Sequence, residues 1–419
     1  MRLLHITASM DPKLGGVCQA LKTMIQGLKS FKKIENEIVS FDNPDASFIS
    51  QNNCKINALG AGKGPWFYNA DYFSWLVIHM QEFDVVILHG LWNYQGYGLI
   101  KALRLLKKNN TAFSTKLFVM PHGMLDPYFQ KAGGRKLKAI RNWFYWKLIE
   151  KNVVNEANGL LFTCEAELLL ARKTFSPYQP KKELVVGLGV EEPPAAAQIA
   201  QEAFLSNHPT LKTNPYLLFI SRIHAKKGVD LLLDAYQNYN KNLQNQSGTG
   251  ADNNASFIGQ KSENLTLVIA GPGIETPYGQ KIYADAGKLN QAEEKVIFPG
   301  MLTGDAKWAA FYNCEAFILP SHQENFGIAV VEALACGKPV LISNQINIHT
   351  EISNANAGII ADDTKDGTKQ LLEKWNNLSP QEKQQMSLNA RKCYEKYFAV
   401  APASKNLIDA VSEEKSVAL

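Results

Sequence analysis

The sequence predicts an α/β protein built from two doubly wound domains, each around a parallel sheet. Short apolar runs typical of buried strands alternate with longer helix-like segments. The alternation stops at residues 191–215, a polar stretch that contains Pro193 and Pro194, and then starts again. The 419 residues suffice for two buried cores. We therefore predict an N-terminal domain at 1–190 and a C-terminal domain at 191–399, with a tail, about 400–419, that packs back on the first domain.

Each domain is predicted from its own run of strands and helices. The first half has strands at Arg2–Ala8, Asp84–His89, Lys116–Met120, Gly159–Thr163 and Leu184–Val190, and helices at Cys18–Leu28, Gly96–Lys108, Leu137–Ala157 and Glu165–Thr174. The second half has strands at Tyr216–Ser221, Leu265–Ala270, Lys295–Phe298, Ala316–Leu319 and Val340–Ser343, and late helices at Pro380–Tyr397 and Ser404–Val411. The Gly/Ser/Asn-rich stretch Gln244–Lys261 lies between the first two of these strands and is typical of a surface insertion without chemistry.

Composition restricts the class of protein. Hydrophobic residues make up 46% and charged residues 20%, as in ordinary globular proteins, and the formal charge is +5. This mild charge permits nucleotides or an anionic membrane face as partners and gives no reason to expect nucleic acid. The six cysteines are scattered without a C-x-x-C pair, so the sequence indicates neither a zinc nor a redox site. No apolar run approaches the length of a membrane span, and we expect a cytoplasmic protein.

The segment Glu324–Pro339, ENFGIAVVEALACGKP, predicts a short helix after a buried strand. Its N-terminus would lie at the carboxyl edge of the sheet and suit an anion such as phosphate. Glu324 precedes this helix and Glu332 lies within its apolar run. Carboxylates in such places can accept hydrogen bonds from sugar and ribose hydroxyls. The alternative makes Glu324 a helix cap and Glu332 a solvent-facing residue, and the spacing alone does not decide between them.

Two further loops follow predicted strands. Arg222 and Lys227 lie between a strand and a helix in FISRIHAKKGVDL, where two cations suit a diphosphate. A solvated basic loop is the better interpretation if this loop is taken alone. Gly15 and Gly16 follow the first strand and permit close approach of a ligand, or form an ordinary tight turn.

A histidine also stands at a strand end. His122 lies between Pro121 and Gly123 in VMPHGM, where a ligand would bind, although a lone histidine is more often structural. His89 ends the preceding strand and is predicted, on weaker grounds, to line an acceptor side.

The segment PSHQENFGIAVVEALACGKPV, with seven residues between its two glutamates, resembles the signature of the retaining nucleotide-sugar glycosyltransferases of the GT-B fold, in the family-4 group (glycosyl transferases group 1). The resemblance covers nearly the whole chain and is weaker in the first half. It implies two Rossmann-like domains facing each other across a cleft. The first domain would bind the acceptor and the second the nucleotide-sugar donor.

The resemblance also implies residue roles. Glu324 and the backbone of Asn325, Phe326 and Gly327 would hold the donor sugar, and Glu332 the ribose. Arg222 and Lys227 would hold the diphosphate, His122 would contact the sugar, and the Gly16 loop would reach the leaving phosphate. We place the nucleobase at VIFPGML, which contains Gly300.

The activity so implied is transfer of a sugar from a nucleoside diphosphate sugar to a hydroxyl of a saccharide or lipid-linked acceptor. Cell-surface polysaccharide or glycolipid synthesis would then be the context. No Asp-x-Asp pair occurs, so we expect a mechanism without metal and without a cofactor beyond the donor. The alternatives are a non-catalytic sugar-nucleotide-binding protein and a GT-B relative with other chemistry, such as an epimerase or phosphorylase.

The stretch Lys131–Lys151 combines basic residues with four consecutive aromatic residues, Trp143 to Trp146. One interpretation is an amphipathic helix that makes peripheral contact with the inner face of a membrane or with a lipid carrier. The other places the aromatic side chains in the core, while the cations are solvated or hold an anionic acceptor; these cations are Arg135, Lys136, Lys138, Arg141 and Lys147. Four consecutive positions cannot share one helix face, so the second interpretation is favoured.

Overall fold

The computed structural model describes residues 1–14, 16–50, 54–131, 136–248, 265–290 and 295–412. They form two compact units, Met1–Glu191 with the segment from Phe398 onward, and Glu192–Tyr397. Each unit contains one parallel sheet with helices packed on it. The predicted α/β fold with two doubly wound domains is therefore confirmed. Gly15, Arg135 and most of the predicted insertion at 244–261 lie outside the described residues.

The sheet of the first unit has seven strands in the order β3-β2-β1-β4-β5-β6-β7. The strands are β1 Arg2–Ile6, β2 Glu35–Ser40, β3 Lys55–Ala58, β4 Val85–His89, β5 Lys116–Met120, β6 Gly159–Phe162 and β7 Glu183–Val185. The order reverses between β1 and β4, and ligands of such sheets bind at the carboxyl ends beside this switch.

The sheet of the second unit has six strands in the order β10-β9-β8-β11-β12-β13. The strands are β8 Tyr216–Ile220, β9 Thr266–Ala270, β10 Val296–Gly300, β11 Ala316–Leu319, β12 Val340–Ser343 and β13 Gly358–Ala361. Here the order reverses between β8 and β11, so the loops that follow these two strands lie next to each other.

Helices occupy most of the intervening chain. In chain order they are α1 Gly16–Leu28, α2 Ser47–Ser50, α3 Asp71–His79, α4 Tyr94–Asn109, α5 Tyr128–Lys131, α6 Lys136–Tyr145, α7 Lys151–Glu156, α8 Glu165–Ala171, α9 Glu202–Leu205, α10 Val229–Gly248, α11 Pro277–Gly287, α12 Gly304–Asn313, α13 Ile328–Ala335, α14 His349–Asn354, α15 Lys365–Asn376, α16 Pro380–Cys393 and α17 Val400–Ser412. A π-helical turn, Trp146–Glu150, joins α6 to α7, and a second one, Tyr394–Phe398, follows α16.

Burial explains why the central strands are apolar without alternation. In β4, Val85 and Ile87 pack in a core that includes Leu407 and Val411 of α17, whereas Val86 and Leu88 pack against residues of α3 and α4. Successive side chains point to opposite faces, so a strand covered by helices on both faces must be apolar throughout.

The structure differs from the predicted elements mainly at the sheet edges. β2, β3 and β13 were not predicted, and β3 (KINA) is a partly exposed edge strand without a fully apolar run. The strand predicted at Leu184–Val190 is wrong in length. It ends at Val185, and Gly187 then adopts a φ of +80° that does not continue a strand.

Candidate functional site

The loops after β8 and β11 pack directly against each other. Gly228 has a φ of +67°, and a Cβ on it would lie 2.1 Å from the carbonyl oxygen of Pro320, so only glycine fits there. The carbonyl of Lys226 accepts hydrogen bonds from the backbone N–H of His322 at 2.9 Å and from the hydroxyl of Ser321 at 3.0 Å. This packing fixes the side chains that the two loops carry.

Lys227 and Glu324 meet where these loops pack. The Lys227 ammonium contacts the Glu324 carboxylate, and the two side chains are 9% and 18% exposed. Burial, with smaller contributions from Lys226 and Arg222, lowers the pKa of Lys227 to about 7, while the adjacent carboxylate favours the charged ammonium. Arg222 is exposed in the same loop and, among the described residues, forms no ion pair. The switch point of the second sheet thus presents an accessible guanidinium beside an ammonium–carboxylate pair.

The loop that carries Glu324 is also fixed from its other side. The N–H of Glu324 donates to the carbonyl of Gln345 and its carbonyl accepts from the N–H of Asn347, both at 3.0 Å. Helix α13 starts after Gly327, which occupies the cap position with a φ of +75°. The interpretation of Glu324 as a helix cap is therefore wrong, because its carboxylate contacts Lys227 instead.

The segment Asn325–Gly327 connects Glu324 to α13. Phe326 is buried, and the Asn325 Oδ1 accepts a hydrogen bond from Asn347 Nδ2 at 3.4 Å. The backbone at the start of the helix is thereby held between the loops after β11 and β12. The N–H groups in the first turn of a helix have no partner within the helix, and such a helix start suits an anion or a sugar oxygen.

Glu332 has a partner of its own within α13. One carboxylate oxygen accepts from the Lys307 ammonium of α12 at 2.8 Å, and the Lys307 nitrogen lies 4.1 Å from the centre of the Trp308 ring. The Glu332 side chain is 15% exposed, so the interpretation of a solvent-facing helix position is wrong. Glu332 and Glu324 therefore belong to two separate ion pairs.

Gly300 closes β10, on the same sheet but separated from β8 by β9. It has a φ of +77°, and nothing lies within 4 Å of the position a Cβ would take. Its carbonyl accepts from the N–H of Gly271 at 2.8 Å, which joins the loops after β9 and β10. The open space beside Gly300 leaves its backbone accessible.

In the first unit, three histidines form a continuous hydrogen-bonded chain. His5 Nδ1 lies 3.0 Å from His89 Nε2, and His89 Nδ1 lies 3.0 Å from His122 Nε2. At the inner end, His5 Nε2 lies 3.1 Å from the side-chain oxygen of Asn36. Sheet register produces this arrangement. His5 pairs with Ile87, two residues before His89, and His89 pairs with Met120, two residues before His122.

The protonation of this chain follows from its geometry. Burial lowers the pKa of both His5 and His122 to about 4, and that of His89 well below its usual value, so all three are neutral at pH 7. Because the Asn36 oxygen is an acceptor, His5 donates to it through Nε2–H, and the unprotonated Nδ1 of His5 accepts from His89 Nε2–H. In the same way, the unprotonated Nδ1 of His89 accepts from His122 Nε2–H. His122 is then left with an unprotonated Nδ1 as its second ring nitrogen. A φ of +52° holds the backbone of His122 in the left-handed region.

Gly16 is the first residue of α1 and has open space where a Cβ would lie. The prediction that His89 lines an acceptor side is wrong. His89 is 2% exposed and lies between His5 and His122, so its ring is not accessible to a ligand.

Comparison with known proteins identifies the second unit. A family model described as glycosyl transferases group 1 matches residues 201–393. The second unit is a glycosyl transferases group 1 domain. It contains Arg222, Lys227, Glu324 and Glu332, the four charged residues that the resemblance assigned to the donor.

Longer similarities extend beyond this domain. The chain is 22% identical over 274 residues to an alpha-D-kanosaminyltransferase of Streptomyces kanamyceticus, covering 64% of this chain and 61% of that protein. It is 25% identical over 253 residues to the O-antigen chain mannosyltransferase C of Escherichia coli, covering 58% of each. The chain thus spans less than two thirds of these curated relatives.

A solved structure shows similarity over both units. The structure of HepE from Anabaena in complex with UDP superposes with a TM-score of 0.69 at 17% identity, covering 98% of this chain and all of that one. The GT-B fold of two Rossmann-like domains, which the resemblance predicted, is confirmed.

Some residues at these sites were not predicted. His5 lies in the middle of an apolar strand, and its spacing to the ends of β4 and β5 becomes a signal only when the register is known. The sequence gives no indication that Lys307 pairs with Glu332, because it does not show that α12 and α13 are neighbours. In the described part of the chain, no group of three or more His, Cys, Asp or Glu side chains could hold a metal ion.

Proposed function

We propose that this protein transfers a glycosyl group from a nucleoside diphosphate sugar to a hydroxyl acceptor, with retention of configuration. The observation that carries the proposal is the cluster of Arg222, Lys227 and Glu324 at the switch point of the second sheet. Cations and a carboxylate side by side match the two halves of such a donor. The phosphates are anionic, and the sugar offers hydroxyl donors.

The chemical difficulty in this reaction is the negative charge that develops on the leaving diphosphate. Arg222 and Lys227 would neutralise it in the proposed mechanism, together with the backbone N–H groups at the start of α13. Preorganised donors of this kind contribute about 10²–10³-fold in rate each. The mechanism therefore assigns no role to a metal, and no side chain is assigned as a covalent nucleophile.

The remaining residues would orient the donor. Glu324 would accept hydrogen bonds from sugar hydroxyls, and backbone N–H groups of Asn325–Gly327 would donate to oxygens of the same sugar. Glu332 would release Lys307 and accept hydrogen bonds from the ribose hydroxyls. The open space beside Gly300 would admit the edge of the nucleobase. His122, neutral and with its Nδ1 unprotonated, can accept a hydrogen bond from a sugar hydroxyl. Gly16 at the start of α1 would approach the leaving phosphate.

The names of the similar proteins suggest which substrates to try first. HepE was solved with UDP, which makes UDP-sugars the first donors to test. One relative is named as a mannosyltransferase of an O-antigen chain. We therefore propose a role in cell-surface polysaccharide or glycolipid synthesis, in the cytoplasm or at the inner face of the membrane. Among the described residues, no helix is sufficiently long and apolar to cross a bilayer.

Hydrolysis of a panel of UDP-, GDP- and ADP-sugars tests the proposal. Wild-type protein should release the nucleoside diphosphate from at least one donor, and Glu324→Gln and Arg222→Met should each lower the rate by about 10²–10³-fold. Glu373→Gln, on α15, and Lys288→Met, just after α11, change exposed residues of the same unit; they are matched controls and should retain activity.

Two outcomes would contradict the proposal. Donor binding without turnover on any acceptor would identify a sugar-nucleotide-binding protein. Equal turnover by wild type and Glu324→Gln would place the chemistry elsewhere. Proton NMR of the glycoside product tests retention, because the anomeric coupling constant distinguishes the two configurations.

A further inference from the structure

Helix α6 and the π-helical turn that follows it expose an apolar stripe to solvent. Five large hydrophobic side chains between residues 136 and 150 are at least half exposed: Leu137 at 84%, Ile140 at 55%, Trp143 at 50%, Phe144 at 56% and Leu148 at 72%. The other large hydrophobic side chains that are exposed in the described chain are scattered over different elements. We call the stripe of these five side chains the α6 face.

The α6 face does not belong to the core of the first unit. Leu137, Ile140, Phe144 and Leu148 recur at intervals of three or four residues, so they share one side of the helix. The opposite side is occupied by Asn142, Trp146 and Glu150, each at most 4% exposed. The helix is therefore already packed against the domain through other residues. Neither sequence interpretation was complete, because Trp146 is buried while Trp143 and Phe144 are exposed.

Cations border the α6 face, and acidic residues are absent from it. Lys136, Lys138 and Arg141 are exposed and Lys147 is partly exposed, and none of them forms an ion pair with a described residue. The Lys147 nitrogen instead lies 5.7 Å from the centre of the Trp143 ring. The sequence has no Asp or Glu between Asp126 and Glu150.

We propose that the α6 face docks on an anionic lipid bilayer, with the helix lying in the plane of the interface. A helix with an apolar side bordered by Lys and Arg, and with Trp and Phe at its boundary, suits the headgroup region. The unpaired cations supply charge complementarity to anionic headgroups. A second copy of the chain fits less well, because a twofold interface would bring the same unpaired cations against each other.

The docking does not depend on the proposed catalytic activity, and it would bring the first unit to a membrane-borne acceptor. Flotation of the full chain with lipid vesicles tests it. The protein should float with vesicles of phosphatidylcholine mixed with phosphatidylglycerol at low salt, and should remain unbound with phosphatidylcholine alone or at high salt. Lys138→Gln/Arg141→Gln should lower the partition about 25-fold, about fivefold for each cation. Lys288→Gln/Lys405→Gln, which changes two exposed lysines outside the α6 face, should leave the partition unchanged.

The apolar contribution is tested separately. Ile140→Gln/Leu148→Gln should lower binding at least tenfold, whereas Ile78→Gln/Leu388→Gln, at comparably exposed sites, should not. Brominated lipid should quench wild-type fluorescence more than that of Trp143→Phe. Circular dichroism melting checks that each variant folds, and unchanged donor hydrolysis by the α6 variants separates this proposal from the catalytic one.

Three results would overturn the docking proposal. The first is no flotation with anionic vesicles. The second is equal loss of binding in the α6 variants and in their matched controls. The third is a dimer in analytical ultracentrifugation that the α6 variants dissociate, which would assign the face to a second copy.

Discussion

Breaking the contact between Lys227 and Glu324 should affect stability and catalysis in different ways. Lys227→Met leaves the Glu324 carboxylate without its cation, in a place where both side chains are largely buried. Removal of one partner from a buried pair costs about 3–5 kcal/mol. Because Glu324 remains 18% exposed, water can solvate part of its charge, and we expect a loss of about 3 kcal/mol.

The double variant Lys227→Met/Glu324→Gln removes both charges together. Neutral side chains of similar size avoid the isolated carboxylate, so the double variant should lose only about 1 kcal/mol. Catalysis should not recover in parallel, because the proposed donor site loses both its ammonium and its carboxylate. Hydrolysis of the best donor should stay about 10²–10³-fold below wild type in Lys227→Met, in Glu324→Gln and in the double variant.

Urea denaturation of the full chain measures the free energy of unfolding, and the rate of nucleoside diphosphate release measures catalysis. Lys288→Met removes an exposed ion pair and should change the free energy of unfolding by less than about 1 kcal/mol. A double variant as unstable as Lys227→Met would contradict the expected charge effect, and a double variant that regained activity together with stability would contradict the proposed donor site.

Three further predictions follow from the same geometry. The folded pKa of His5, about 4, lies below its unfolded value of about 6.5, so the unfolded chain binds its proton first as the pH falls. The melting temperature should therefore fall as the pH is lowered from 6.5 to 4. Its change with pH should be smaller in His5→Gln than in wild type, and an equal change in both proteins would contradict this prediction. Glu332→Gln should raise the donor KM with little change in kcat, as expected for lost ribose binding, whereas loss of kcat alone would contradict that role. Gly228→Ala should destabilise the folded protein by at least about 2 kcal/mol. Gly300→Ala should cost less, because Gly300 also has a positive φ but has open space where the Cβ would lie. Melting curves of the two variants test this difference.

The charged residues that we propose for the donor site could be placed at a sheet edge from sequence, because their positions depend on local patterns. A buried strand followed by a loop and a helix places Arg222, Lys227 or Glu324 at a sheet edge, whatever the rest of the chain does. The resemblance then added roles to those positions. The pairings among them could not be predicted, since Lys227 and Glu324 are distant in sequence and meet only because β8 and β11 are neighbours.

The sequence by itself determined the elements that rest on local physics: apolar runs of strand length, helix stops at Gly and Pro, and the division into two α/β halves. Tertiary structure decided strand order and register, which bring His5 of β1 and His89 of β4 into line with His122, two residues after β5. It also decided which side of α6 is buried. Trp143 and Trp146 are chemically the same residue, and only the packing against the first unit places one in solvent and the other in the core. These outcomes depend on contacts between distant segments, and such contacts leave no local pattern.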